Sequence, residues 1–209
     1  MTSQDSPDRG LFLKTLRTLE RLNVPYMIVG AFAATLYGLN RSTFDIDIVV
    51  DLGEDRLASL AGAFPSPRYY ADPEQIRDSI RHGMLFNIID TDSGEKADLV
   101  PLGRTGRDRI AFGRRRRRTI DLPGQPSLGI WCASPEDVIV GKLAAWTEGR
   151  SRKHPDDIHQ MLLFLTKVDP EADEPALDMA YVETSAGAIG NEALSLWRSL
   201  VKSAEGAQR

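Results

Sequence analysis

The chain holds one cysteine, Cys132, among 209 residues. An internal disulfide is therefore excluded, and a reducing compartment, the cytoplasm, is the expected setting. Histidine is almost as scarce. With only His82, His154 and His159 beside that cysteine, no zinc-ligand spacing appears. No apolar run approaches the length that crosses a bilayer, so no membrane partner is expected. The first residues, MTSQDSPDRG, are polar and acidic and read as neither a signal nor a transit peptide. Internal repeats and long low-complexity linkers are also missing.

What is present suits a packed soluble chain. Hydrophobic residues make up 42% and charged residues 27%. The length fits one domain, or a small catalytic domain with a helical appendage. Charge is unevenly spread. Residues 104–118 hold eight arginines and one acid, Asp108, a local balance of +7 within a chain of net −4, so the rest carries −11. Residues 169–192 hold seven acids and no base. A basic segment thus sits in an acidic protein.

Leucines at 11, 13, 16, 19 and 22 fall near one helical face. Pro25 ends that pattern. YMIV reads as a short buried strand ending at Gly30, AFAATLYGL as a short helix, FDIDIVVD as a second strand, and LGEDRLASLAGAF as a helix closed by Pro65 and Pro67. GMLFNIID and KADLVPL are two apolar runs joined by the turn residues TDSGE, a hairpin signal. RRRRRTIDL and SLGIWCA form a second strand pair across PGQP. In SPEDVIVGKLAAWTEGR, Ser134 is placed to N-cap a helix with Pro135 at its first position and Asp137 completing a box-like start. DDIHQMLLFLTKV and NEALSLWRSLVKS are further helices. The expected fold class is α+β: a small mixed sheet flanked by helices over 1–133, then a C-terminal helical region over 134–209.

One stretch does not fit a plain buried strand. In RSTFDIDIVVD, Arg41 to Asp51, side chains alternate, so Asp45 and Asp47 share a face while Ile46 and Ile48 face the core. Two carboxylates on one face repel unless a cation lies between them. Mg²⁺, or Mn²⁺, takes carboxylate oxygens and keeps substrate phosphates in its shell. Asp98, in KADLV, is the candidate third carboxylate, flanked by apolar Ala97 and Leu99. A D-x-D alone more often marks a turn, a strand end or an ordinary ion pair. Asp51 reads that way, as do Asp90 and Asp92 around the hairpin turn. Upstream, YMIVGAFAATLYGLN is a strand, Gly30, then a helix. Glycine lets an anion approach free backbone N–H groups there, although a strand-to-helix turn is itself common.

Val29-Gly30-Ala31, thirteen residues, then Asp45-Ile46-Asp47-Ile48 resembles the hallmark of the nucleotidyltransferase superfamily with the DNA polymerase β-like fold. Ala31 departs from the Gly or Ser usual there, so a serine hydroxyl contact to phosphate is absent. LNRSTFDIDIVV and SPEDVIVGKLAAWTEGRSRKHPDDIHQML are similar to the uncharacterised and abortive-infection toxin-like bacterial branch. The resemblance runs from Gly30 to Leu162. It implies metal ligation and catalysis by Asp45, Asp47 and Asp98, with Asp98 nearest the acceptor hydroxyl. It implies nucleotide contacts from Gly30, Ala31, Arg41, Thr43, Lys142 and Asp157. A nucleoside triphosphate is the implied substrate. A tRNA end, another RNA, a protein hydroxyl or a small molecule is the implied acceptor, and a toxin–antitoxin setting the implied context. For Arg41 a solvated loop arginine, and for Lys142 a surface lysine packed along its helix, are comparable readings.

Three other readings stay open. Ala31 motivates a catalytically degenerate protein that binds a nucleotide or RNA. Arg114–Arg118 motivate a nucleic-acid-binding module, although the run has no interleaved aromatic and also suits a solvated edge strand. A metal-dependent nuclease uses similar carboxylates but leaves the Gly30 turn without a purpose.

Overall fold

The computed structural model describes residues 10–40, 46–103, 105–121, 126–166 and 176–207. They form helix α1 (Gly10–Arg21), strand β1 (Tyr26–Val29), α2 (Gly30–Thr35), β2 (Ile46–Val50), α3 (Glu54–Gly62), β3 (Tyr69–Tyr70) and α4 (Pro73–His82). There follow β4 (Phe86–Asp90), β5 (Lys96–Pro101), α5 (Gly106–Gly113), β6 (Arg116–Ile120) and β7 (Leu128–Cys132). The helices α6 (Pro135–Gly149), α7 (Lys153–Leu165), α8 (Met179–Ile189) and α9 (Asn191–Gly206) complete the chain.

The chain is α+β. Its strands make one mixed sheet in the order β3-β4-β5-β2-β1-β7-β6. β2 and β5 run parallel, as do β1 and β7, and the other neighbours run antiparallel. The two hairpins expected from turn chemistry are β4–β5 and β6–β7. Alternation along β2 buries Ile46, Ile48 and Val50 and leaves Asp47 and Val49 half-exposed, as the period of two requires. On β5, Ala97 and Leu99 are buried while Asp98 lies on the other face. The leucine face of α1 is buried at Leu11, Leu13, Leu16 and Leu19.

Four elements go beyond the sequence expectations: β3, α4, α5 and α8. α4 carries a full set of end signals. The Asp72 carboxylate accepts from the Glu74 and Gln75 N–H groups, Pro73 opens the helix, and Gly83 closes it at φ +65°. α8 lies within the acidic segment, its first turn capped by Asp178, which accepts from the Tyr181 N–H.

The chain divides into two units, Met1–Val29 with Thr43–Cys132, and Gly30–Ser42 with Ala133–Arg209. The first holds the sheet with α1, α3, α4 and α5. The second is helical and gathers α2 with α6–α9. In it the Tyr37 hydroxyl donates to the Ala133 carbonyl at 2.7 Å, both groups buried. Ser134 caps α6 as expected, its hydroxyl accepting from the Asp137 N–H and donating to the Asp137 carboxylate at 2.7 Å. Among the described residues no helix is long and apolar enough to cross a membrane.

Candidate functional site

The register of the sheet brings Asp47 and Asp98 together. β2 and β5 pair with Asp47 opposite Asp98, so both carboxylates leave the same face of adjacent parallel strands. Neighbouring strands lie roughly 4.8 Å apart, which sets the scale of the separation. The row continues on both sides. Val29 of β1 is the partner of Asp47, and Asn87 of β4 is the partner of Asp98. One transverse line across the sheet therefore reads Val29, Asp47, Asp98, Asn87. The chain leaves β1 at the next residue, Gly30, whose φ of +69° is a conformation that favours glycine.

Asp98 is held at both oxygens. Its Oδ1 accepts from Asn87 Nδ2 at 2.5 Å, and its Oδ2 pairs with Lys96 Nζ at 3.3 Å. The Asp98 side chain is 14% exposed and that of Lys96 46%. The lysine thus reaches in from solvent toward a carboxylate that is otherwise well covered. Neither Asn87 nor Lys96 was among the expected site residues. Their signals are faint: one amide in the apolar run FNIID, and one lysine two positions before Asp98. Only the strand register turns them into neighbours of the carboxylate.

The other expected residues fall as follows. Asp45, Arg41 and Thr43 lie outside the described residues. Gly30 and Ala31 open α2, a helix of six residues. Lys142 and Asp157 are brought together within the helical unit, Nζ to Oδ2 at 2.6 Å, with side chains only 7% and 5% exposed. Lys142 is thus a buried, paired cation and not a surface lysine. Asp90 serves the β4–β5 turn, where its Oδ1 accepts from the Asp92 and Ser93 N–H groups. The lone thiol, Cys132, is buried, and burial pushes its pKa up to about 12.

The donor set fits a hard divalent cation. Two carboxylates adjoin on a half-buried face, and oxygen is the ligand type that Mg²⁺ and Mn²⁺ take. Among the described residues no group of three His, Cys, Asp or Glu side chains forms a metal cluster. Asp47 and Asp98 are two such donors.

No protein-family model matches the chain, and no curated protein matches it in sequence. Solved structures similar to it include an antigenic nucleotidyltransferase-like protein from Paracoccidioides brasiliensis, 18% identical over 91% of this chain and 91% of that one, with a TM-score of 0.47. The antibiotic-resistance factor ANT(2'')-Ia in solution is 16% identical over 94% of this chain and 92% of that one, TM-score 0.40. ANT(2'')-Ia in complex with adenylyl-2''-tobramycin is 17% identical over 92% and 95% of the two chains, TM-score 0.41. Similarity at this level transfers neither residue roles nor activity, so the chemistry of the site rests on its own side chains.

Proposed function

We propose that the chain is a divalent-metal-dependent nucleotidyltransferase of the polymerase β-like kind, moving a nucleoside monophosphate from a nucleoside triphosphate to a hydroxyl acceptor. The supporting observation is the in-register pairing of Asp47 with Asp98, one residue across from the strand end that leads into Gly30. Such a row is costly as bare charge and useful as a cation seat. Bound Mg²⁺ or Mn²⁺ would neutralise the triphosphate and polarise the reacting oxygens.

The chain's own residues then have distinct tasks. Asp47 and Asp98 supply hard oxygen donors, joined in this reading by Asp45. Asn87 fixes the rotamer of Asp98 through Oδ1. Asp98 takes the proton of the acceptor hydroxyl. The acceptor oxygen forms a bond to the α-phosphorus, the bond from that phosphorus to the β-bridging oxygen breaks, and pyrophosphate leaves with the electron pair. Gly30 and Ala31, with Arg41 and Thr43, are assigned to phosphate by the motif resemblance. Lys142 and Asp157 enter as a structural pair of the helical unit, since each neutralises the other. RNA, a protein hydroxyl and a small molecule are the acceptor alternatives, with a toxin–antitoxin pair as one biological setting.

A second reading, nucleotide binding without turnover, draws on Ala31 and on Lys96 seated against Asp98. Incubation with labelled nucleoside triphosphates, Mg²⁺ or Mn²⁺ and cell extract separates the two. The transferase reading expects pyrophosphate release and a labelled acceptor, both lost in Asp47→Asn and Asp98→Asn. It also expects the Mn²⁺ bound by the wild type, read by electron paramagnetic resonance without substrate, to fall in either variant. Mn²⁺ binding indifferent to both substitutions would sink the assignment of the site. Nucleotide binding with intact Mn²⁺ loading and no label transfer would favour the second reading.

A further inference from the structure

The arginine run is not absorbed by this chemistry, and the fold gives it what its sequence lacks. β6 is an edge strand of the sheet. Its Arg117 is the Cα partner of Trp131 on β7, so an aromatic absent from the run is supplied by the neighbouring strand. The Arg115 guanidinium carbon lies 5.0 Å from the Trp131 ring centre and 4.2 Å from that of Phe112, while Arg117 lies 5.4 Å from Trp131. Arg115 Nη1 donates to the Phe112 carbonyl at 2.7 Å, and its Nε is buried without a hydrogen-bond partner. Arg117 Nη1 pairs with Glu20 Oε1 at 3.2 Å, and Glu20 also accepts from the Tyr26 hydroxyl at 2.8 Å.

Glu20, Tyr26, Arg115, Arg117 and Trp131 line a cavity of about 310 Å³ that also includes Asn23. Among the described residues Glu20 is the only acid on its wall. On α5, Arg107 and Arg109 are exposed, and no carboxylate pairs with either among the described residues. All of this lies within the sheet unit.

We propose that this arginine edge, Arg115 and Arg117 braced on Trp131 together with Arg107 and Arg109 of the preceding helix α5, binds the phosphate backbone of single-stranded RNA. Guanidinium groups are planar forks suited to phosphate oxygens, and stacking on aromatic faces holds those forks in place at little entropic loss. Arg117 lies on β6 and Arg115 precedes the strand by one residue, and both reach the Trp131 ring. The arginines cover the indole, so the rings brace cations and offer bases no open platform. Recognition is therefore of the backbone and neutral to sequence. Glu20 is engaged by Arg117 and Tyr26, and the Asn23 amide adds an acceptor on the same wall, which a ribose 2′-hydroxyl satisfies and deoxyribose does not. The inference names RNA as the acceptor class for the proposed transferase. It rests on that reading only for the transfer step, and the binding stands apart from it.

Fluorescence anisotropy of the full chain in EDTA tests this, with a short mixed-sequence RNA, the same sequence as DNA, and an acidic peptide. RNA is expected to bind more tightly than DNA, and the peptide not at all. Affinity should fall linearly on a log–log salt plot between about 50 mM and about 200 mM, with each neutralised phosphate adding roughly −0.7 to the slope. Arg107→Ala/Arg109→Ala removes no hydrogen bond or ion pair among the described residues. It should lower affinity at least tenfold and flatten the slope by roughly 1.4. Arg115→Ala/Arg117→Ala should do the same, and Arg115→Lys/Arg117→Lys, which keeps charge and loses stacking, should lie between. Circular dichroism confirms that each variant is folded. Undetectable RNA binding at the lower salt, peptide binding equal to RNA, or an unchanged slope in the Arg107/Arg109 variant overturns the inference. RNA binding kept in Asp47→Asn with no label transfer in the wild type would defeat the transferase reading and leave this one standing. Asp47-dependent labelling of a small molecule with no RNA binding would do the reverse.

Discussion

Lys142 and Asp157 offer the sharpest test of the helical unit. Their side chains are 7% and 5% exposed and meet at 2.6 Å. At such burial the attraction between the charges is largely offset by the desolvation of both, so the pair as a whole is worth little. Removing one partner is different, because the remaining charge stays buried. Lys142→Met or Asp157→Leu alone should cost about 3–5 kcal/mol, whereas the double change should recover most of the loss. For a chain of this size roughly 2–4 °C of Tm accompanies each kcal/mol, so a single variant should melt roughly 6–20 °C early. Urea unfolding followed by tryptophan fluorescence is the assay, since Trp146 on α6 and Trp197 on α9 report on this unit. A single variant with the wild-type midpoint would refute the claim that a buried pair exists. The same variants separate structure from binding: a folded double variant that still binds nucleotide gives Lys142 no phosphate role, and one that loses binding alone returns it to the site.

Two further outcomes follow from packing and burial. Gly38 has φ +92°, and a Cβ there would overlap the Phe164 side chain, so Gly38→Ala should cost about 1–2 kcal/mol for the left-handed backbone and roughly 1–3 kcal/mol more for overpacking. Phe164→Ala in that background should return only part of the second cost by chemical denaturation, because the Phe164 Cβ, which the added methyl also overlaps, remains. Cys132 has its pKa raised by burial to about 12, so the folded state holds the thiol proton more tightly than the unfolded chain, where the value is about 8.5. The stabilisation is complete below the unfolded value and is lost as pH rises toward the folded one, at up to roughly 1.4 kcal/mol per unit. Cys132→Ser should flatten that alkaline decline, and the native thiol should resist alkylation at neutral pH. An equally steep decline in the variant would contradict the burial argument.

Periodicity was enough for much of the framework. Alternating Ile46, Asp47 and Ile48 announced which side chains face the core, and Ser134 with Pro135 announced where α6 begins, because strand alternation and helix capping act within a few residues. Asp98 was legible as a lone carboxylate between apolar neighbours, and the acceptor turn around Asp90 from its composition. Weakly apolar α4, with Ile76 as its buried hydrophobic residue, and α5, within the arginine-rich stretch, were hidden by polar sequence even though their caps were present.

By itself, then, the chain determined its strands other than β3, its main helices and the presence of acidic side chains at positions that a buried strand does not need. Local sterics and hydrophobic alternation decide those matters, and both are written in neighbouring residues. Tertiary structure alone decided that Asp47 stands opposite Asp98, that Asn87 and Lys96 occupy its two oxygens, that Lys142 spends its charge on Asp157, and that Trp131 lies beneath two arginines. Each of these depends on the register between segments distant in the chain: a shift of one residue would send the strand side chains to the opposite face of the sheet and turn the helical ones by about 100°.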